Sequence, residues 1–262
     1  MQQFAREAFV RVVRELTAAK IPVLAVKGIA LAETLYASDV RFMVDVDLRV
    51  VPEDLARAEA IARARGWRVA HRSKQMGTFE IDLGMDGPLV EVESTIGPPG
   101  VCKIDVRTML SRGTVHDRDR LHWLEPELHD HALLLCINVF KDKLVHARPW
   151  AREDLLRVGD LDGFSPRTIV ERAHEADLRE LVAIVSAWLV ESPRWQEVAA
   201  LLESGPRRRM YAGLFATLVR RRPESRALAI VARAVSDDPW MRVRALASGA
   251  VGTARFHLRR GE

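Results

Sequence analysis

Cysteine is nearly absent from this sequence: Cys102 and Cys136 are the two in 262 residues. Two distant thiols make no disulfide framework and match no metal-ligand spacing, so a reducing cytoplasm is the expected setting. Long hydrophobic runs are absent too. No stretch approaches the ~20 apolar residues of a membrane span. Arg6, Glu7, Arg11, Arg14 and Glu15 argue against a secretory signal at the N-terminus. Aromatic residues make up 6% of the chain, and its basic C-terminal third lacks the interleaved rings on which single-stranded nucleic acid stacks. No internal repeat of 20–50 residues is evident. His129 and His131, two apart, fall on different faces of a helix and form no zinc pair. No Ser-His-Asp order or Cys-His pairing can be argued.

What the chain does have is a globular composition, 48% hydrophobic and 29% charged, with a formal net charge of +4. Its length suits one large domain or two small ones. The most informative stretch runs from Val23 to Val51. Val23 to Val26 read as a buried strand, which Lys27 and Gly28 end. Ile29, Leu31, Ala32 and Leu35 then recur at helical spacing. A second strand is expected over Val44 to Val51. Val44, Val46, Leu48 and Val50 lie on one face, and Asp45, Asp47 and Arg49 on the other.

Two carboxylates at i and i+2 on a strand face stand roughly 6–7 Å apart at the backbone. Such like charges are unfavourable together unless a cation sits between them. Mg²⁺ suits the position, because it takes oxygen ligands and leaves room for phosphate oxygens. The N–H groups at the start of the preceding helix, at Gly28 and Ile29, favour a phosphate. Together these features describe a metal-dependent nucleotidyl-transfer site.

The ordered set Val26-Lys27-Gly28, Ala30-Leu31, Leu35-Tyr36, Arg41 and Asp45-Val46-Asp47-Leu48 resembles the signature of the bacterial "uncharacterised nucleotidyltransferase" family, within the DNA polymerase β superfamily. The resemblance continues through Pro52-Glu53-Asp54-Leu55 to Gly66-Trp67, with a weaker trace to about residue 160. In the wider superfamily a small hydroxyl residue often follows the glycine. Ile29 stands there, which leaves the phosphate grip to backbone N–H groups and Lys27. The resemblance implies a third acidic residue on a later strand, followed two positions on by a histidine. Glu91 falls on the acidic position and Glu93 on that of the histidine. Both share a face, so either can reach the metals. Glu80 and Asp82 form a rival acidic pair on the preceding strand. The resemblance also implies a basic residue aimed at the triphosphate, Lys141 or Lys143. Arg41 either braces the Asp-x-Asp strand or touches phosphate.

An α+β fold is therefore expected: a polymerase-β-like domain over residues 1–125, a mixed sheet with flanking helices, followed by an all-helical domain over 126–262. Within the first, a hairpin is read over 78–84 and 89–96 around Asp86-Gly87. In the second, Ser165-Pro166 and Asp238-Pro239 read as helix starts. The implied activity is transfer of a nucleoside monophosphate from an NTP, with two Mg²⁺ (or Mn²⁺) held by Asp45, Asp47 and Glu91. Lys27, Gly28, Ile29, Arg41 and Lys141 or Lys143 would hold the nucleotide. The acceptor is a small molecule or biosynthetic intermediate. The basic segment from Arg207 onward keeps an RNA-modifying, toxin-like transferase in view, and a non-catalytic nucleotide-binding relative is the third reading.

Overall fold

A computed structural model describes residues 2–36, 41, 43–73, 77–84, 87–98, 100–142, 144, 149–202, 205–222 and 224–247. It divides into two compact units, one of residues 1–96 with 104–131, the other of residues 97–103 with 132–262.

The first unit opens with α1 (Gln2–Ala18), β1 (Leu24–Val26), α2 (Gly28–Leu35), β2 (Asp45–Arg49) and α3 (Pro52–Ala64). Next come β3 (Arg68–Ser73), β4 (Thr78–Asp82), β5 (Leu89–Glu93), α4 (Val106–Arg112), β6 (Thr114–Arg118) and β7 (Leu121–Glu125). The seven strands form one mixed sheet in the order β3-β4-β5-β2-β1-β7-β6. β2 runs antiparallel to β1 and parallel to β5, while β1 runs parallel to β7. The alternation along β2 decides its two faces. Val46 and Leu48 go into a core with Phe9, Val12, Val13 and Leu16 of α1, Ala58 and Ala62 of α3, and Val90 and Val92 of β5. Asp45, Asp47 and Arg49 take the opposite face, and there Asp47 and Arg49 are buried as well, at 3% and 2% exposure. A cavity of about 480 Å³ lined by Phe9, Ala25, Ile29 and Trp123 belongs to the apolar side, because Ala25 pairs with Leu48.

β6 and its hairpin with β7 carry no sequence signal. Thr114 to Arg118 is a polar, mostly exposed edge strand, and His116 stacks on Trp123 at 5.1 Å between ring centres.

α5 (Leu128–Lys141) is followed by α6 (Pro149–Asp160), α7 (Pro166–Glu175), α8 (Arg179–Trp188), α9 (Pro193–Leu201), α10 (Pro206–Arg221) and α11 (Arg226–Arg233). Residues 239–247 are helical too, beginning at the Asp238-Pro239 start read from the sequence. Ser165 caps α7 through Thr168 N–H, and Asp238 accepts from the Trp240 and Met241 N–H groups. Trp195 is fully buried in the second unit and donates from Nε1 to the Leu155 carbonyl at 2.7 Å. Residues 97–103 are tied to the same unit. The Lys103 N–H donates to the Ala176 carbonyl at 3.1 Å, and its ammonium pairs with Asp177 and, at 3.0 Å, Asp238. Among the described residues no helix is long and apolar enough to cross a membrane.

Candidate active site

The acidic face of β2 is assembled from the register of its neighbours. The parallel β2–β5 pairing sets Asp47 beside Glu91, Arg49 beside Glu93 and Asp45 beside Leu89. Glu80 of β4 is the cross-strand partner of Glu91, and Asp82 lies further along β4. Asp82 is occupied: it accepts from Arg68 Nε at 3.0 Å and from the Gly84 N–H at 2.8 Å.

Lys27 reaches the same face from the end of β1. Its ammonium donates to Asp47 Oδ1 at 2.5 Å. Burial works against an ionised Asp47, but the charges of Lys27 and Arg49 and hydrogen bonds from Lys27 and Glu91 outweigh it, so its carboxyl stays below the usual range. Burial also opposes the charged form of Lys27, and the Asp47 carboxylate overcomes it, holding the ammonium above its ordinary value. Glu91 goes the other way. Burial, with Glu93 and Asp47 close by, pushes it up to about 7. Arg49 pairs with Glu93 and donates to the Leu48 carbonyl at 3.2 Å.

A single residue makes the turn from β1 to α2. Lys27 has φ 56° and ψ −132° and no side-chain cap follows it. For a lysine this is a strained conformation. Its N–H donates to Nε2 of His131, 3.0 Å away and only 5% exposed. Gly28 serves space instead. A Cβ there would lie 2.3 Å from Arg41 Nη1 and 3.1 Å from Met43 Cγ, so the glycine lets the buried Arg41 guanidinium lie against the start of α2. Ile29 packs against the core. By helix geometry the first N–H groups of α2 point out of its start, and the first intrahelical bond is from Leu31 N–H to the Lys27 carbonyl at 2.9 Å.

Asp45 and Asp47, Glu91 and Glu93, Lys27, Gly28 and Arg41 thus belong to one unit. Lys141 belongs to the other, exposed at the end of α5 beside a cavity of about 160 Å³ lined by Ile137, Phe140, Leu181 and Arg233. Lys143 lies outside the described residues, as does Asp86 of the expected hairpin turn.

Two residues without a role assigned from the sequence belong to this site. Arg49 is the buried cation of the acidic face; its place at i+2 from Asp47 was the available signal. His131 had no signal, since its partner is 104 positions away.

The donor set on this face is hard oxygen: Asp47 and Glu91 are register neighbours, with Asp45 and Glu93 on the same two strands. Among the described residues no three acidic, His or Cys groups already converge as a metal cage. Two carboxylates nevertheless fit Mg²⁺, whose other positions go to water and phosphate.

Comparison with known proteins gives one family: "Uncharacterised nucleotidyltransferase" matches residues 2–198. No curated protein matches the sequence. Two solved structures are similar. The solution structure of the antibiotic-resistance factor ANT(2'')-Ia is 14% identical with a TM-score of 0.45, over 84% of this chain and 100% of that one. The crystal structure of JHP933 from Helicobacter pylori is 12% identical with a TM-score of 0.32, over 85% and 94%.

Proposed function

The chain belongs to the family of uncharacterised nucleotidyltransferases, and we propose that it moves a nucleoside monophosphate from an NTP to a hydroxyl or phosphate of a small-molecule acceptor, on the face formed by Asp45, Asp47 and Glu91. The observation that carries this reading is the pairing of Asp47 with Glu91. The two carboxyl groups are register neighbours and stand beside the Lys27 ammonium at the start of α2.

In the reaction an acceptor oxygen bonds to the α-phosphorus. The bond from that phosphorus to the β-phosphate oxygen breaks, and pyrophosphate leaves. Asp45, Asp47 and Glu91 would hold Mg²⁺ (Mn²⁺ in its place), which supplies charge neutralisation at the α-phosphate when bound. Glu91, beside Asp47 on the neighbouring strand, would take the proton of an acceptor hydroxyl. Lys27 is placed to exchange its Asp47 contact for the β- and γ-phosphates. The N–H groups of Gly28 and Ile29 offer the same oxygens the helix start. Arg41, against Gly28, adds positive charge. Positioning and charge carry most of such catalysis.

The test is transfer from each of the four α-labelled NTPs to a small-molecule extract and, in parallel, to total RNA. Label in small molecules that is lost in Asp45→Asn supports the reading. Label confined to RNA replaces it with RNA modification, and full Mg²⁺-dependent activity in Asp45→Asn removes the site.

A further inference from the structure

His131 is a buried titratable group that none of the chemistry above uses. It lies in the first turns of α5, followed by Ala132, Leu133, Leu134 and Leu135, all buried. In an apolar setting an imidazole costs free energy unless its nitrogens are bonded, and a leucine would fill similar space without that cost. What the imidazole adds is an acceptor. Nε2 takes the Lys27 N–H at 3.0 Å, which requires the neutral ring with its proton on Nδ1. Burial and the nearby Arg41 charge keep the ring neutral, with its pKa pulled down to about 4.

The donor is just as particular. Lys27 alone separates the last residue of β1 from the first of α2, and its φ of 56° and ψ of −132° cost a non-glycine residue about 1–3 kcal/mol. Such a conformation persists only where its surroundings over-determine it. Its side chain is tied by the Nζ–Asp47 contact, its carbonyl by the Leu31 N–H and its own N–H by the bond to His131. α5 is itself pinned in this unit at its start. Glu127 accepts from the His129 N–H at 3.0 Å and contacts His129 Nδ1 at 2.7 Å, and Asp130 faces Arg112 of α4 at 3.4 Å.

We infer that His131 is a positioning residue for the nucleotide: by accepting the Lys27 N–H it fixes the turn from which the Lys27 ammonium and the start of α2 face the triphosphate. The inference rests on the nucleotidyl-transfer reading above. His131 touches no reacting atom and acts through Lys27.

The experiment uses the full chain and inorganic triphosphate with Mg²⁺, a probe that needs no knowledge of the base. His131→Leu fills the ring's space but offers no acceptor, and should weaken triphosphate binding about tenfold. His131→Gln, whose amide oxygen reaches the position of Nε2, should recover most of that affinity. Melting temperatures of both variants separate this difference from stability. Equal affinity in the Leu and Gln variants overturns the proposal, because a space-filling role does not distinguish them. A second readout needs no ligand. In the wild-type ¹⁵N spectrum at pH 7 the His131 Nε2 should be unprotonated, and the Lys27 amide should be protected from exchange in wild type and Gln but not in Leu. A protonated Nε2 also overturns it. If wild type binds no triphosphate while the amide protection follows this pattern, the nucleotide reading has failed and the backbone lock stands alone.

Discussion

Glu91 and Glu93 stand two residues apart on β5, and their neighbours separate their roles. Glu93 is paired with Arg49, whose side chain is 3% exposed. Glu93→Gln therefore leaves a buried guanidinium without its counter-charge and should cost about 3 kcal/mol in denaturant unfolding. Glu91 is held up to about 7 by burial, with the like charges of Glu93 and Asp47 adding to it. Glu91→Gln should leave stability unchanged or slightly higher while turnover falls at least tenfold, which unfolding and rate measurements on the two variants will check. The opposite ranking would assign Glu93 to catalysis. The two aspartates divide similarly. Asp45 is exposed and Asp47 is 3% exposed beneath the Lys27 ammonium. Both asparagine variants should lose transfer, but only Asp47→Asn should also lower the melting temperature, because it strips a partly buried lysine of its partner.

The turn between β1 and α2 and the first turns of α5 work as one assembly. Gly28→Ala drives a methyl against Arg41 Nη1 and Met43 Cγ, and overpacking of this kind costs about 1–3 kcal/mol. In the background of Arg41→Ala the same change should cost much less. A double-mutant cycle measures that coupling, and additive effects would show that Gly28 makes no room for Arg41. From α5, His131 adds a pH dependence. Its folded pKa of about 4 is below the ordinary 6.5. As pH falls below about 6.5 the unfolded chain takes a proton that the folded chain refuses. Stability therefore drops through this window, by about 3 kcal/mol in all, and levels off below pH 4. His131→Gln should remove this component. Unfolding curves at pH 7 and pH 5 suffice, and a drop of the same size in the variant would assign it to other groups.

At the scale of the whole molecule the relevant quantity is the net charge of +4 and its location. The acidic face of β2 is compensated locally by Lys27 and Arg49, whereas Arg209, Arg220, Arg221 and Arg222 of the helical unit are exposed. The side chains of Arg207 and Arg208 lie outside the described residues. We propose that an anionic acceptor is drawn to these exposed arginines. Its KM should then rise steeply between about 50 and 200 mM salt, and replacing Arg209, Arg220 and Arg221 by glutamine should raise the acceptor KM well above any change in the NTP KM. Flat kinetics over that range, together with an unaffected triple variant, leave a neutral acceptor.

Local pattern determined much of this protein. A period of two on β2 sent Val46 and Leu48 to the core and left Asp47 and Arg49 on the other face. The break at Lys27-Gly28 placed the start of α2, and apolar spacing after Pro126 gave the run of helices. These features were legible because side-chain direction follows from backbone period within one element. β6 was not legible, since an exposed edge strand buries nothing that would force its residues to alternate. The family resemblance put Glu91 on the acidic position; only the tertiary structure makes it the register neighbour of Asp47, across two parallel strands over 40 positions apart. It alone brought Arg41 against Gly28 and His131 under the Lys27 amide. Those contacts arise from packing between separate elements, where the burial of many apolar side chains fixes a position that no single residue's neighbours in sequence express.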